Sequence, residues 1–142
     1  MKVIGERIIE YLKADSALIA LLGSARSIFS KSLNESDNRP SKYVVVEASL
    51  GEDLNYAYGQ EDEIDIEIGV SRKIPNSYTA IMTVMESVDD LLNKQESNLA
   101  NGSWKIIHFV RTDVPTRGVL IDDSTNEYYV ILRYKYILDE SS

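Results

Sequence analysis

Apolar and polar positions along the chain change their period several times, and each change marks an element. In residues 3–12, Ile4, Ile8, Tyr11 and Leu12 recur at helical spacing, which predicts an amphipathic helix. Asp15 stands where a cap belongs for a second short helix over 16–22, and Gly23 supplies its stop. A short extended piece over 26–30 follows, then a polar loop over 31–41 that contains Pro40. The run K-Y-V-V-V-E-A-S at 42–49 is short and β-branched, hence a strand, and 51–59 is a tyrosine-bearing acidic loop. From Gly59 to Lys73 acids alternate with apolar residues. Ile64, Ile66, Ile68 and Val70 take one side, and Glu63, Asp65, Glu67 and Gly69 the other. Such alternation predicts a long strand covered on one face and open on the other.

Pro75, with Asn76 or Ser77 as cap, opens the helix with the clearest stripe. Tyr78, Ile81, Met82, Met85, Val88, Leu91 and Leu92 share one side, while Glu86, Asp89 and Asp90 face out. A turn at Asn101-Gly102 leads to two more strands, 104–113 and 127–138, separated by a loop holding Pro115 and Gly118. In the last strand Tyr128, Val130, Leu132, Tyr134 and Tyr136 line one face, with Arg133 and Lys135 on the other. The order is helix, short helix, three strands, helix, two strands. It predicts one α+β domain over 1–142, a two-layer sandwich with helices on one face of a mainly antiparallel sheet of four to five strands.

Charge placement sharpens this picture. The net charge is -8, and eight acids (Glu47, Glu52, Asp53, Glu61, Asp62, Glu63, Asp65, Glu67) fall between residues 43 and 71 without one Lys or Arg. Removing those eight from the 23 acids leaves 15, against 15 bases, so the whole excess sits in one strand-loop-strand segment. A basic groove for nucleic acid is therefore not expected. The alternating carboxylates stand ~7 Å apart along the strand. A solvated strand face, a face docked on a partner, and a divalent-ion or acid/base site all remain open, although a bound Ca²⁺ wants oxygens converging from several directions and a strand supplies a row.

The remaining chemistry is sparse. With no cysteine there is neither disulfide nor thiolate metal site, which fits a reducing compartment. Glu6, Arg7 and Glu10 interrupt the N-terminal segment where a secretory signal needs an apolar run, and nothing approaches the ~18 consecutive apolar residues of a membrane span. A cytoplasmic protein without membrane association is expected. His108, the one histidine, is in phase with Trp104, Ile106 and Val110 and is expected to point at the covered face. No nucleophile constellation, phosphate loop or dinucleotide fingerprint is present, so no catalytic, cofactor or metal residue is assigned. Tyr56 and Tyr58 in the acidic loop, and the apolar run Val119-Leu120-Ile121, are candidate interface residues, together with Arg39 and Arg117 in neighbouring loops.

The layout resembles the small tail-terminator, or tail-completion, proteins of long-tailed bacteriophages. The resemblance begins in I-I-E-Y-L-K-A-D-S-A-L-I-A-L-L-G, Ile8 to Gly23. It continues through S-I-F-S, a proline-containing polar loop, K-Y-V-V-V-E, a long strand, one amphipathic helix and a closing Tyr-rich strand with Arg133 and Lys135. It implies a structural protein with no turnover, forming a hexameric ring in the virion that caps the tail tube and offers the face joining the head. The implied partners are further copies of the chain, the tube protein and a connector or head-closure protein, met through the loops at 32–40, 51–59 and 114–123. DNA would pass through the ring without specific binding. Glu52, Asp53, Glu61, Asp62, Glu63, Asp65 and Glu67 are then the candidate lining of the bore or a docking face. Another neck protein, or a small metal-dependent enzyme or ligand-binding module, are the alternatives.

Overall fold

The computed structural model describes residues 4–30, 40–47, 61–95, 99, 104–112 and 118–140. Three helices, α1 (Ile4–Lys13), α2 (Ser16–Leu22) and α3 (Ser77–Leu92), pack on a sheet of β1 (Ile28–Ser30), β2 (Lys42–Glu47), β3 (Glu61–Ser71), β4 (Trp104–Arg111), β5 (Leu120–Asp122) and β6 (Glu127–Glu140). The α+β sandwich holds as expected, with six strands instead of four to five. The added strand, β5, takes Leu120 and Ile121 of the apolar run together with Asp122, and β1 is only three residues long because a 3-10 turn, Ala25–Ser27, takes the start of the extended piece.

The strands run β1-β2-β3-β6-β4, with β5 on the same edge of β6 as β4 but nearer its start. All pairings are antiparallel except β1 with β2. Because β3 and β4 both pair antiparallel with β6, they are parallel to each other, and α3 carries the chain between them. This helix lies over β3 and β6, while α1 lies over β1 and β2.

Local chemistry explains the helix ends. Asp15 is the N-cap of α2, its carboxylate accepting from the Leu18 N–H at 2.8 Å, and Gly23 ends the helix at φ 92, a conformation glycine adopts without a Cβ penalty. At α3 the residue expected to cap does not. Asn76 sits at the N-cap in the left-handed region, φ 56 and ψ 38, and its side chain makes no capping hydrogen bond. The tight turn after β3 sets that conformation.

One continuous core lies between the layers. It joins Ile8, Leu12 and Leu18 from the first two helices, Ile81, Val84, Val88 and Leu92 from α3, Ile64, Ile66, Ile68 and Val70 of β3, and Val130, Leu132, Tyr134 and Tyr136 of β6. Full burial of each such Leu, Ile or Val contributes about 1.5–3 kcal/mol. The α3 stripe is rotated from the expected one: Val84 is buried, whereas Tyr78, counted in the stripe, is exposed. Asp89, expected to face water, is half-buried and accepts from the Tyr134 hydroxyl at 2.8 Å, while Arg111 pairs with it at 3.4 Å. The reason is β6: its buried Tyr134 needs an acceptor, and α3 is the helix above it.

Candidate functional site

The site begins with strand register. On the side of β3 away from the helices, Asp65 stands between Glu47 of β2 and Arg133 of β6, Glu63 stands beside Lys135, and Glu67 lies between Val45 and Ile131. The carboxylate row is thus real, and β6 sets two cations alongside it. Arg133 grips Asp65 with both arms of its fork, Nε donating to Oδ1 at 2.7 Å and Nη2 to Oδ2 at 2.9 Å, and its Nε also lies 3.3 Å from a Glu63 oxygen. Hydrogen bonding to Asp65 and that carboxylate's charge, with Glu63 and Glu47 adding, push Arg133 above the ordinary arginine value. Glu47, Glu63, Asp65 and Arg133 line one open hollow. Against Arg133 and Lys135 stand Glu47, Glu63, Asp65 and Glu67, so four acids less two bases leave a net of -2 on this part of the face.

Other candidates fall in different places. Asp62 is opposite Tyr136, in the phase of the helix-covered face, and its carboxylate accepts from the Glu63 N–H at 2.8 Å. Glu61 belongs to β3 opposite Ile137. Glu52, Asp53, Tyr56, Tyr58, Arg39 and Arg117 lie outside the described residues. Val119 packs half-buried against the core, and Leu120 and Ile121 on β5 are exposed. The turn after β5 is held by Asp122, whose Oδ1 accepts from the Ser124 hydroxyl at 2.7 Å and amide at 3.0 Å; the hydroxyl bond holds its pKa below the usual carboxylate value. His108 corrects an expectation. The register of β4 shifts between Ile106 and His108, so Phe109 takes the buried position and His108 pairs with Ile137 on the open face. Strict alternation cannot see a bulge.

Sequence reasoning also missed how the open face closes at one end. Tyr43, on the same side as the carboxylates, is only 1% exposed, and its ring lies across Gly69, where any Cβ would overlap it. Its hydroxyl donates to Glu127 at 3.2 Å, a carboxylate itself 6% exposed. Gly69 was the available signal, since glycine within a strand marks a close approach. Among the described residues no three His, Cys, Asp or Glu side chains are grouped to hold a metal ion, and no helix is long and apolar enough to cross a membrane. What the described residues of this face present is a sheet surface of ordered, partly paired charge.

Comparison with solved structures gives this architecture a counterpart. A chain from the virion of a native gene transfer agent particle superposes with a TM-score of 0.70 at 13% identity, covering 96% of this chain and 94% of that one. The two chains share one fold. A looser similarity, TM-score 0.49 at 15% identity over 98% of this chain and 91% of the other, extends to the bacteriophage SPP1 gp17 protein. No protein-family model and no curated protein matches the sequence.

Proposed function

We propose that this chain is a structural protein of a phage-type virion, forming a ring that caps the tail tube and presents the face joining the head. The observation that carries the proposal is the shared fold, end to end, with a chain of the gene transfer agent virion. The open sheet face supports it: ordered charge on a rigid sheet suits assembly, and Arg133 occupies the space between carboxylates where a metal would sit.

In that ring the net acidic face either borders the bore or meets a basic rim of a neighbouring protein. Duplex DNA carries one negative charge per ~1.7 Å of axis, so a basic bore would hold it. A net acidic bore repels the phosphates, over a reach of about 8 Å at physiological salt. The ion pair of Asp65 with Arg133 lowers the repulsive charge and fixes the side chains in place, which favours the docking version.

The test is to add purified chain to tail tubes assembled from the tube protein of the same virion and image the tube ends. Six copies closing one end of each tube would support the proposal. Tube ends left bare, with the chain instead bound to connector rings, would replace it with a neck role. Binding to neither would overturn it.

A further inference from the structure

We propose that Asn93 and Lys94 bar strand pairing at one end of the sheet: they occupy the outer edge of β4 and keep it from joining β4 of a second copy. The bar is a property of the folded chain and does not depend on the ring.

Strand β4 comes last in the order β1-β2-β3-β6-β4, and among the described residues no strand lies on its other side. In an antiparallel pair, successive residues turn their backbone groups alternately toward and away from the neighbouring strand. Phe109 and Arg111, two apart, turn theirs outward, and both are met there. The Lys94 N–H donates to the Phe109 carbonyl at 2.8 Å, and the Arg111 N–H donates to Asn93 Oδ1 at 3.0 Å. One donor and one acceptor at that spacing are what an added strand would bring. Two residues just past the end of α3 supply them instead.

Helix capping does not account for these contacts. The Asn93 backbone N–H already serves the Asp89 carbonyl at 2.8 Å, and the Asn93 side chain reaches beyond the helix to β4. Lys94 holds φ 61, a left-handed conformation that a β-carbon disfavours, and in it the Lys94 N–H meets Phe109. Other features act in the same sense: β4 is bulged between Ile106 and His108, and exposed Lys94 sets a charge beside the edge. At the opposite end β1 is three residues long, and the N–H of Ile28 is taken by the Ala25 carbonyl. With eight residues, β4 is the end strand long enough to pair. Antiparallel pairing with its own copy is closed by two-fold symmetry, so uncovering this edge yields a dimer that grows no further.

Sedimentation of the full chain and hydrogen exchange at the Arg111 amide test this on three variants. Asn93→Ala should dimerise at concentrations roughly tenfold or more below any at which wild type does, one hydrogen bond's worth of affinity. While dilute, it should also exchange the Arg111 amide roughly tenfold faster. Asn93→Asp keeps an acceptor oxygen and should match wild type in both readouts. Arg111→Pro removes an N–H that β6 does not use, which an end strand tolerates, and should return Asn93→Ala to the wild-type state. Should that double variant not fold, the amide decides: Arg111 exchange slowed again in the Asn93→Ala dimer supports β4 pairing, and exchange that stays fast overturns it. A dimer that survives Arg111→Pro, or an Asn93→Ala chain that associates no more than wild type, would also overturn the proposal. So would an Asn93→Ala chain that fails to fold, since the contact would then belong to the fold. None of these readouts involves tube ends, so failure here leaves the capping role standing.

Discussion

Replacing Asp89 with alanine tests how α3 is fastened to the sheet. The substitution removes the acceptor of the Tyr134 hydroxyl and the partner of Arg111. Tyr134 is fully buried, so its stranded hydroxyl costs about 1–3 kcal/mol. The Arg111 pair is partly exposed on both sides, 31% and 23%, and adds no more than about 1 kcal/mol. A total of roughly 1–4 kcal/mol is a fall in Tm on the order of 3–15 °C for a domain of this size. Asp89→Asn keeps an acceptor oxygen and should lose less than half of that. Tyr134→Phe removes the hydroxyl with its bond and should cost about 0.5–1.5 kcal/mol. Urea and thermal unfolding followed by circular dichroism give all four values, the double variant included. Its loss should fall short of the summed single losses by at least ~0.5 kcal/mol, because the two groups serve one bond. An Asp89→Ala variant as stable as wild type, or strict additivity, would refute the reasoning.

Tyr134 also sets an alkaline limit. Burial first, and the Asp89 charge second, raise its pKa above the ordinary 10.0, so the unfolded chain loses this proton before the folded one. The stability it confers is complete below pH 10 and declines above it, by up to about 1.4 kcal/mol per pH unit. Unfolding titrations of wild type and Tyr134→Phe should diverge only there; parallel curves would contradict the assignment. Gly69→Ala drives a methyl into the Tyr43 ring and should cost about 1–3 kcal/mol, and the double variant with Tyr43→Ala should lose less than the summed single losses, because the clash is then gone. Asp15→Ala removes the α2 cap and should cost about 0.5–2 kcal/mol by thermal melting. Neutralising Glu63, Asp65 and Glu67 together (Gln, Asn, Gln) breaks the two-armed Asp65–Arg133 pair, in which Asp65 is half-buried, and should shift stability by about 1–2 kcal/mol; outright unfolding would mean that the face is structural.

Much of the layering was legible because period carries it. The isoleucines of β3 and the odd and even residues of β6 declare their faces through alternation, and Asp15 and Gly23 declare a helix through capping chemistry. What stayed hidden depends on partners distant in sequence. Asp89 looks like surface until β6 brings Tyr134 under it, 45 residues away. Arg133 answers Asp65 across 68 residues, and this pair turns an acidic row into a mixed, ordered face. His108 fell on the wrong face because one extra residue at the β4 bulge reverses the phase of everything after it. Tyr43, inside an apolar run, gave no hint that it crosses to cover Gly69 from the open side.

The most direct test of a virion ring is a reconstruction of the tail end in intact particles. The account predicts six copies of this α+β sandwich encircling the axis at the last tube layer, each touching its neighbours. A ring at that level built from another chain, or purified particles that lack this chain, would contradict it.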